Sequence, residues 1–314
     1  MIERTEDRRA FMRDTLTAQS KTIHVVLMVI CSLEIAGCMT PLQKLFVRAE
    51  ESLHRSEFMR AESLWSTYLE HEPADVDAWY NRALARAGHS DLQGAMKDLD
   101  TTLRLWPGDM DARWMRFRIR EQQIAVLRAD TSMEPLARPA RGSWISALAV
   151  IQIEELTALL WLDPADIVAR CERGILFRKA GRYTDAFADL NIVLRDVPSD
   201  VRARTERGNT FHALGCYDDA LKDYDVALSE CDTCRWLLYN KALSLHAAGR
   251  LIETIAVLET LVAADGMDGD AWFMLGDCRL ALGRRGAACI AWQKSLDLGI
   301  DEAQARLDAY CQSP

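Results

Sequence analysis

The sequence predicts an all-α solenoid of stacked helical hairpins, because three features recur along it. Pro-Xaa-Asp begins at Pro73, Pro107, Pro164 and Pro198, with gaps of 34, 57 and 34 residues. Small residues recur at two positions of a 34-residue unit, and glycine or serine recurs between them. A period of 20 to 50 residues is the signature of a repeat architecture. We therefore predict about seven units within 42–302, starting near residues 42, 76, 110, 167, 201, 235 and 269.

Two positions of the unit predict how its paired helices pack. Small residues at position 8 let two antiparallel helices approach closely, and large residues at position 24 fill the space between units. Position 8 is Ala49, Ala83, Phe117, Gly174, Gly208, Ala242 and Gly276. Position 24, with the third unit counted back from Pro164, is Trp65, Leu99, Leu156, Leu190, Tyr224, Leu258 and Trp292.

The turns carry their own signals. Glycine after the first helix of a unit is typical of a left-handed turn, and here it is Gly181, Gly215, Gly249 and Gly283. Proline cannot continue a helix and marks the end of the second one. We expect the aspartate of each Pro-Xaa-Asp to cap the next helix: Asp75, Asp109, Asp166 and Asp200.

The 57-residue gap is one unit plus 23 residues. The extra segment includes the basic stretch RADTSMEPLARPARGS at 128–143, which predicts a loop between two over-long helices. The second of these helices is WISALAVIQIEELTALLWL at 144–162. The insertion is either a tolerated surface loop or a protrusion that contacts a partner or splits the array into two arms. At the end of the chain, 303–314 predicts a capping helix and tail, with Asp301 as its N-cap.

The clearest unit is VRARTERGNTFHALGCYDDALKDYDVALSECDT, which starts at Val201. Its marked positions are Gly208, Phe211, Gly215, Tyr217, Ala220, Tyr224, Ala227 and Leu228. This pattern resembles the tetratricopeptide repeat (TPR) family, and the resemblance covers about 42–302. It implies a right-handed solenoid whose first helices line a concave groove, and a scaffold that binds a protein or peptide.

The resemblance further implies that positions 2, 5, 9, 12 and 13 of the first helices face the groove. Five of the seven residues at position 5 are aromatic, which suits an extended or helical peptide. We predict groove contacts from Phe46, Tyr80, Trp114, Tyr239, Phe273, Asn209, His212 and His246. The alternative is that the rings pack on the neighbouring unit. Two histidines with no third ligand do not predict a metal site.

The N-terminal region has a different character. Residues 23–33, IHVVLMVICSL, are too few to span a bilayer but suit the apolar region of a signal peptide. Ile35-Ala36-Gly37-Cys38 then resembles the bacterial lipobox. We predict a lipoprotein signal peptide at 1–37, lipid attachment at Cys38 and a short linker at 38–41. The chain would then be anchored to the cell membrane or outer membrane, on its periplasmic or extracellular face. The alternative is a buried helix that ends in a cysteine.

The charge of the chain and the motifs in its sequence argue against several classes of function. The net charge is −9 and the sequence has no long basic run, which argues against nucleic-acid binding. No catalytic or cofactor fingerprint is present, so we predict neither an enzyme nor a cofactor. The predicted function is a membrane-anchored scaffold in envelope assembly or transport. Two alternatives stay open: a solute-binding component with an apolar pocket near Trp114, Trp144 and Trp161, and a cytosolic TPR adaptor.

The cysteines allow several states. Cys231 and Cys234 flank a turn, where they form either a disulfide that staples it or two free thiols. Cys278 and Cys289 fall on the two helices of one unit, so their pairing is conceivable.

Overall fold

The computed structural model describes residues 39–129, 138–231 and 234–311. These residues form fifteen α-helices and contain no strand. They fall into two compact units, one that ends at Leu162 and one that begins at Asp163. The predicted fold class, an all-α helical-repeat solenoid, is confirmed.

The first compact unit holds three helical hairpins. Its helices are α1 (Pro41–His54), α2 (Phe58–His71), α3 (Val76–Gly88), α4 (Leu92–Leu105), α5 (Met110–Ala129) and α6 (Arg138–Leu162). The odd-numbered helix of each pair is the first helix of a repeat, and the even-numbered one is the second.

The second compact unit holds four hairpins and a final single helix. Its helices are α7 (Ile167–Lys179), α8 (Tyr183–Asp196), α9 (Val201–Ala213), α10 (Tyr217–Glu230), α11 (Arg235–Ala247), α12 (Leu251–Ala264), α13 (Gly269–Ala281), α14 (Arg285–Asp297) and α15 (Glu302–Tyr310).

The third hairpin is the long one, with 20 residues in α5 and 25 in α6. The predicted loop over 128–143 is too wide, because α5 continues to Ala129 and α6 already begins at Arg138. Pro139 lies in the first turn of α6, where a missing backbone N–H costs the helix no hydrogen bond. Residues 130–137 lie outside the described part of the chain.

The two packing positions behave as the repeat predicts. All seven side chains at position 24 are at most 1% exposed. In the glycine-bearing repeats the first helix approaches this side chain directly. A Cβ atom added to Gly208 would lie 2.7 Å from the Tyr224 ring, and one added to Gly174 would lie 3.0 Å from Leu190 Cγ. The small residue therefore makes the room that the large one fills.

The turn inside each hairpin uses the left-handed backbone conformation. Gly181, Gly215, Gly249 and Gly283 have φ between 72° and 76°, as predicted. In the first two repeats Ser56 and Ser90 occupy the same place, with φ of 58° and 77°. Glycine is therefore favoured at this turn but serine is accommodated.

The predicted aspartate caps are present, with one exception. The carboxylates of Asp75, Asp109, Asp166 and Asp200 accept a hydrogen bond of 2.8–3.0 Å from the backbone N–H three residues later. The prediction for Asp301 is wrong, because its side chain makes no capping bond among the described residues. The backbone of Asp301 is already helical, with φ −63° and ψ −27°. An N-cap residue normally has an extended backbone, which places its side chain to accept from the N–H groups of the first turn.

Candidate functional site

Within each compact unit some first helices of successive repeats contact each other. In the first unit α1 contacts α3, and in the second α7 contacts α9 and α9 contacts α11. Side chains join the same helices. Arg202 of α9 pairs with Glu172 of α7, and His212 Nδ1 lies 2.7 Å from Ser244 Oγ of α11. Within each unit these first helices thus share a face on which a ligand could lie.

In the first compact unit the three predicted aromatic residues are largely occupied with packing. Tyr80 is 5% exposed and belongs to the core, and burial raises the pKa of its phenol. Phe46 is half-buried, with its ring edge-on to Trp65 at 5.0 Å. Trp114 is half-buried and edge-on to Phe117 at 5.5 Å. Packing on neighbouring residues, the alternative given above, describes Tyr80 best.

In the second compact unit the predicted rings are more accessible. Tyr239 on α11 and Phe273 on α13 are both half-buried. The pKa of Tyr239 is raised by burial and by the nearby carboxylates of Asp270 and Asp268. Trp236 on α11, which the prediction omitted, is 49% exposed. Trp236 occupies position 2 of its repeat. Position 2 is one of those expected to face the groove, so the sequence pattern could have identified this residue.

The predicted polar residues already have partners or face solvent. Asn209 Oδ1 accepts a hydrogen bond of 2.8 Å from the Tyr224 hydroxyl. His212 contacts Ser244, and burial lowers the pKa of its imidazole, which favours the neutral form. His246 is exposed on α11. The geometry makes His212 a link between first helices.

The search for a metal centre or membrane span concerns the described residues alone. Among them no group of three or more His, Cys, Asp or Glu side chains is arranged to hold a metal ion. Likewise, no helix in 39–129, 138–231 or 234–311 has the length and apolar character needed to cross a membrane. Cys38 and the predicted signal peptide lie outside those ranges.

One recess lies beside the long hairpin. It has a volume of about 300 Å³ and is lined by Pro107, Gly108, Arg113, Ala158, Trp161 and Leu162. Trp161 is 82% exposed, so the recess is open rather than a closed apolar cavity. Trp114 does not line it, and the Trp144 side chain lies outside the described part. The recess therefore lacks the enclosure that would favour the solute-binding alternative.

A series of buried ion pairs was missed by the sequence prediction. In four successive repeats an arginine at position 7 of the first helix binds a carboxylate at position 23 of the second. The pairs are Arg82–Asp98, Arg116–Glu155, Arg173–Asp189 and Arg207–Asp223, with N–O distances of 2.7–3.0 Å. Each carboxylate is at most 6% exposed. Both positions recur at the repeat period, so the signal was present in the sequence.

Two disulfides are formed among the described cysteines. Cys231 pairs with Cys234, which is one of the two predicted states of that turn. The conceivable Cys278–Cys289 pair is wrong, because Cys289 pairs with Cys311 instead. Cys278 is a buried free thiol whose pKa is raised by burial to about 11. Cys311 follows α15, so this disulfide fastens the last helix to α14.

Several solved structures resemble this chain in fold at low sequence identity. Curated proteins give no match to this chain. Among solved structures, a tetratricopeptide repeat protein from Parabacteroides merdae superposes with a TM-score of 0.57 at 16% identity, covering 86% of this chain and 99% of that one. The C-terminal part of a TPR repeat-containing protein from Cytophaga hutchinsonii superposes with a TM-score of 0.59 at 14% identity, covering 83% of this chain and 98% of that one.

The APC/C hetero-tetramer Cut9–Hcn1 superposes with a TM-score of 0.54 at 13% identity. This match covers 92% of the present chain and 52% of that one. At such identities these likenesses concern the fold alone. The sequence itself matches the family described as tetratricopeptide repeat over 47–110, 171–233 and 238–309, which is more than half of the chain. The chain therefore belongs to the tetratricopeptide repeat family.

Proposed function

We propose that this protein is a non-catalytic scaffold that binds a protein or peptide segment on its inner face. We further propose that lipid on Cys38 holds it at a membrane of the cell envelope. The observation that carries the binding proposal is the surface of α11 and α13. These two helices and the N-cap of α13 carry an exposed indole, Trp236, together with half-buried rings and the carboxylates of Asp268 and Asp270.

The chemistry of this surface defines the partner. Trp236 and Tyr239 are three residues apart on α11 and so share a helix face. Asp270 of α13 is exposed and close enough to Tyr239 to raise the pKa of its phenol. An aromatic surface offers contact area at low entropic cost, and a carboxylate at its edge favours a cation. The proposed partner segment therefore places an apolar side chain on Trp236 and a basic side chain near Asp270.

The surface of α7 and α9 is less suited to a ligand. Its charged groups pair with each other: Arg202 binds Glu172, and Arg178 Nε donates to Glu206 Oε2 at 2.8 Å. The residues at position 5, Cys171 and Thr205, are small and buried. A ligand there would have to displace ion pairs without gaining an aromatic contact. This contrast supports binding on α11 and α13.

The disulfides support the envelope part of the proposal. Two disulfides in a chain of this size are typical of an oxidising compartment, such as the periplasm or the cell exterior. That agrees with the lipobox-like Ile35-Ala36-Gly37-Cys38, an independent feature of the sequence. A cytosolic adaptor gives no reason for either feature.

The lipid anchor is tested by labelling growing cells with radioactive palmitate. We expect label on the wild-type chain in the membrane fraction. Cys38→Ser should abolish the label and release the protein from the membrane. An unlabelled wild-type chain, or a Cys38→Ser variant that stays in the membrane, would contradict the anchor.

The binding surface is tested by cross-linked pull-down from the native cell. We expect Trp236→Ala with Asp270→Asn to reduce recovery of the partner at least tenfold. Both residues are surface-exposed, so the variant should keep the wild-type melting temperature. The matched control is Ile252→Ala on the second helix α12, which removes a side chain that is 71% exposed. The same partners in the same amounts from the double variant would remove α11 and α13 as the binding surface.

A further inference from the structure

Five of the six turns that join one repeat to the next contain the same two side-chain bonds. The first is the aspartate cap, and the described chain has it at Asp75, Asp109, Asp166, Asp200 and Asp268. The second is a clamp: four residues after the cap, a Trp or Arg side chain donates to a backbone carbonyl of the same turn. The clamps are Trp79 to Pro73, Arg113 to Pro107, Arg170 to Pro164, Arg204 to Pro198 and Trp272 to Gly266.

In the turn between α10 and α11 the described residues make neither bond. Cys234 stands at the cap position, and its side chain makes no capping hydrogen bond among the described residues. Leu238 stands at the clamp position, and a leucine side chain has no donor. Instead, the Cys231–Cys234 disulfide spans this turn. At this one joint, a covalent bond that can be reduced takes the place of two polar contacts.

We propose that Cys231–Cys234 is a thiol–disulfide exchange site, through which a protein dithiol loosens the joint between α10 and α11. Both cysteines are only half-buried, so a dithiol can approach them. Neither is a lone thiol, because the structure holds them as a pair. The first turn of α11 also carries Trp236 of the proposed binding surface, but the exchange itself requires neither that surface nor the lipid anchor.

The exchange proceeds in two balanced steps. A thiolate of the reductant attacks Cys231 Sγ, the Cys231–Cys234 bond breaks, and Cys234 leaves as a thiolate. The second thiol of the reductant then attacks the mixed disulfide and releases Cys231. The products are two cysteine thiols and the oxidised reductant, with two electrons and two protons transferred. Cys234 is the better leaving group because it lies at the N-terminus of α11, where the helix dipole stabilises a thiolate.

Other contacts keep the two repeats packed when the bond is cut. Leu237 is fully buried with Tyr224 and Leu245 in one cluster. Lys241 of α11 also pairs with Asp225 of α10, with Nζ 2.5 Å from Oδ1. Reduction therefore loosens the turn and the first turn of α11 without unfolding the hairpins.

The second disulfide lies at a different kind of helix end. Cys234 precedes the N-terminus of α11, where the helix dipole stabilises a departing thiolate. Cys311 follows the C-terminus of α15, where the dipole destabilises one. We therefore expect dithiols to reduce Cys231–Cys234 first.

Hydrogen exchange with mass spectrometry tests the joint in the full chain. The starting protein is Cys289→Ser with Cys311→Ser, which keeps Cys231–Cys234 intact. Addition of dithiothreitol should speed amide exchange in 234–238 at least tenfold and leave 200–204, a turn with cap and clamp, unchanged. Equal exchange before and after reduction would overturn the proposed joint.

Two further variants in that background separate the disulfide from the sequence around it. Cys231→Ser with Cys234→Ser should exchange fast with or without reductant. Cys231→Ser with Cys234→Asp restores a cap and should exchange slowly under both conditions. Finally, titration of the wild-type chain with dithiothreitol and alkylation should give half-reduction of Cys231–Cys234 at a tenfold lower concentration than Cys289–Cys311. The reverse order of reduction would overturn the exchange site.

Discussion

Gly276 of α13 faces the indole of Trp292 of α14 so closely that a Cβ atom at position 276 would lie 2.4 Å from Trp292 Nε1. Trp292 is fully buried and donates that N–H to Asp277 at 3.2 Å. A stiff ring held by a hydrogen bond cannot move aside at low cost. The spacing of 16 residues between a small and a large side chain is therefore a direct contact inside the hairpin.

Gly276→Ala should destabilise the protein by about 1–3 kcal/mol, because the added methyl group forces Trp292 out of place. This loss outweighs the gain of up to about 1 kcal/mol that alanine brings to a helix. Gly174→Ala should cost less, since the neighbouring Leu190 Cγ lies at 3.0 Å. Urea unfolding followed by tryptophan fluorescence measures both variants.

The control for helix propensity is Gly286→Ala in α14, where an added Cβ would meet nothing within 4 Å. It should be neutral or stabilising by up to about 1 kcal/mol. If Gly276→Ala matched Gly286→Ala, the contact with Trp292 would not limit position 276.

The Arg207–Asp223 pair gives a second stability prediction. Asp223 is 4% exposed and accepts two bonds from Arg207, at 2.7 and 2.8 Å. Asp223→Ala leaves a guanidinium in a half-buried site without its carboxylate, so we expect a loss of about 3 kcal/mol in the free energy of unfolding. Arg207→Ala with Asp223→Ala should cost less than the sum of the single variants.

A surface pair on the same helix is the matched comparison. Lys222 and Asp219 lie 2.8 Å apart, with 75% and 51% of their side chains exposed. Lys222→Ala should change the free energy of unfolding by less than about 0.5 kcal/mol. Similar losses in the free energy of unfolding for Asp223→Ala and Lys222→Ala would show that the buried pair contributes no more to stability than the exposed one.

The sequence predicts well those features that recur from one repeat to the next. Small residues at position 8, large ones at position 24 and the aspartate caps each keep one role wherever they recur, and the exceptions are Phe117 at position 8 and Cys234 at a cap position. Tyr80 shows the limit of such patterns. The repeat period predicts the helix face on which the Tyr80 ring lies. That the ring is only 5% exposed depends on how closely the neighbouring helices approach, which the period does not give.

Two of the misses lie where the period is interrupted. Cys311 follows a single helix outside the repeat, so its distance to Cys289 could not be read from spacing. Arg138 opens α6 in a segment whose prolines and glycine are typical of a loop. The position-7 arginines were within reach, because their spacing to the position-23 carboxylates is the same as that of the position 8 and 24 pairs.

Glu50 on α1 gives a prediction of pH dependence. Its Oε2 atom is buried and finds no hydrogen-bond partner in the described residues. Burial first, and the charge of Asp77 second, raise its pKa from 4.5 to about 7. Between those two pH values the folded chain holds a proton that the unfolded chain releases. Stability therefore falls as pH rises through that window, by up to about 3 kcal/mol.

Glu50→Gln should remove that fall. Urea unfolding should give it nearly wild-type stability at pH 4 and a higher free energy of unfolding than wild type at pH 8. The control is Glu51→Gln, whose exposed carboxylate pairs with Arg55 at 3.6 Å and should leave the wild-type profile within about 0.5 kcal/mol. An advantage of Glu50→Gln that is equal at both pH values would contradict a raised pKa.

Cys311→Ser should release α15 from α14 and lower the free energy of unfolding by about 3 kcal/mol, because the closed loop restrains the unfolded chain. The remaining contacts of α15 are noncovalent. Ala303 and Leu307 pack in one cluster with Trp292, and Arg306 binds Asp277 in an exposed ion pair. Urea unfolding measures the loss, and hydrogen exchange should show its greatest increase in 302–310. The control is Cys216→Ser, which changes an exposed free thiol and should stay within about 0.5 kcal/mol. Wild-type protection of 302–310 in Cys311→Ser would mean that packing alone holds the last helix.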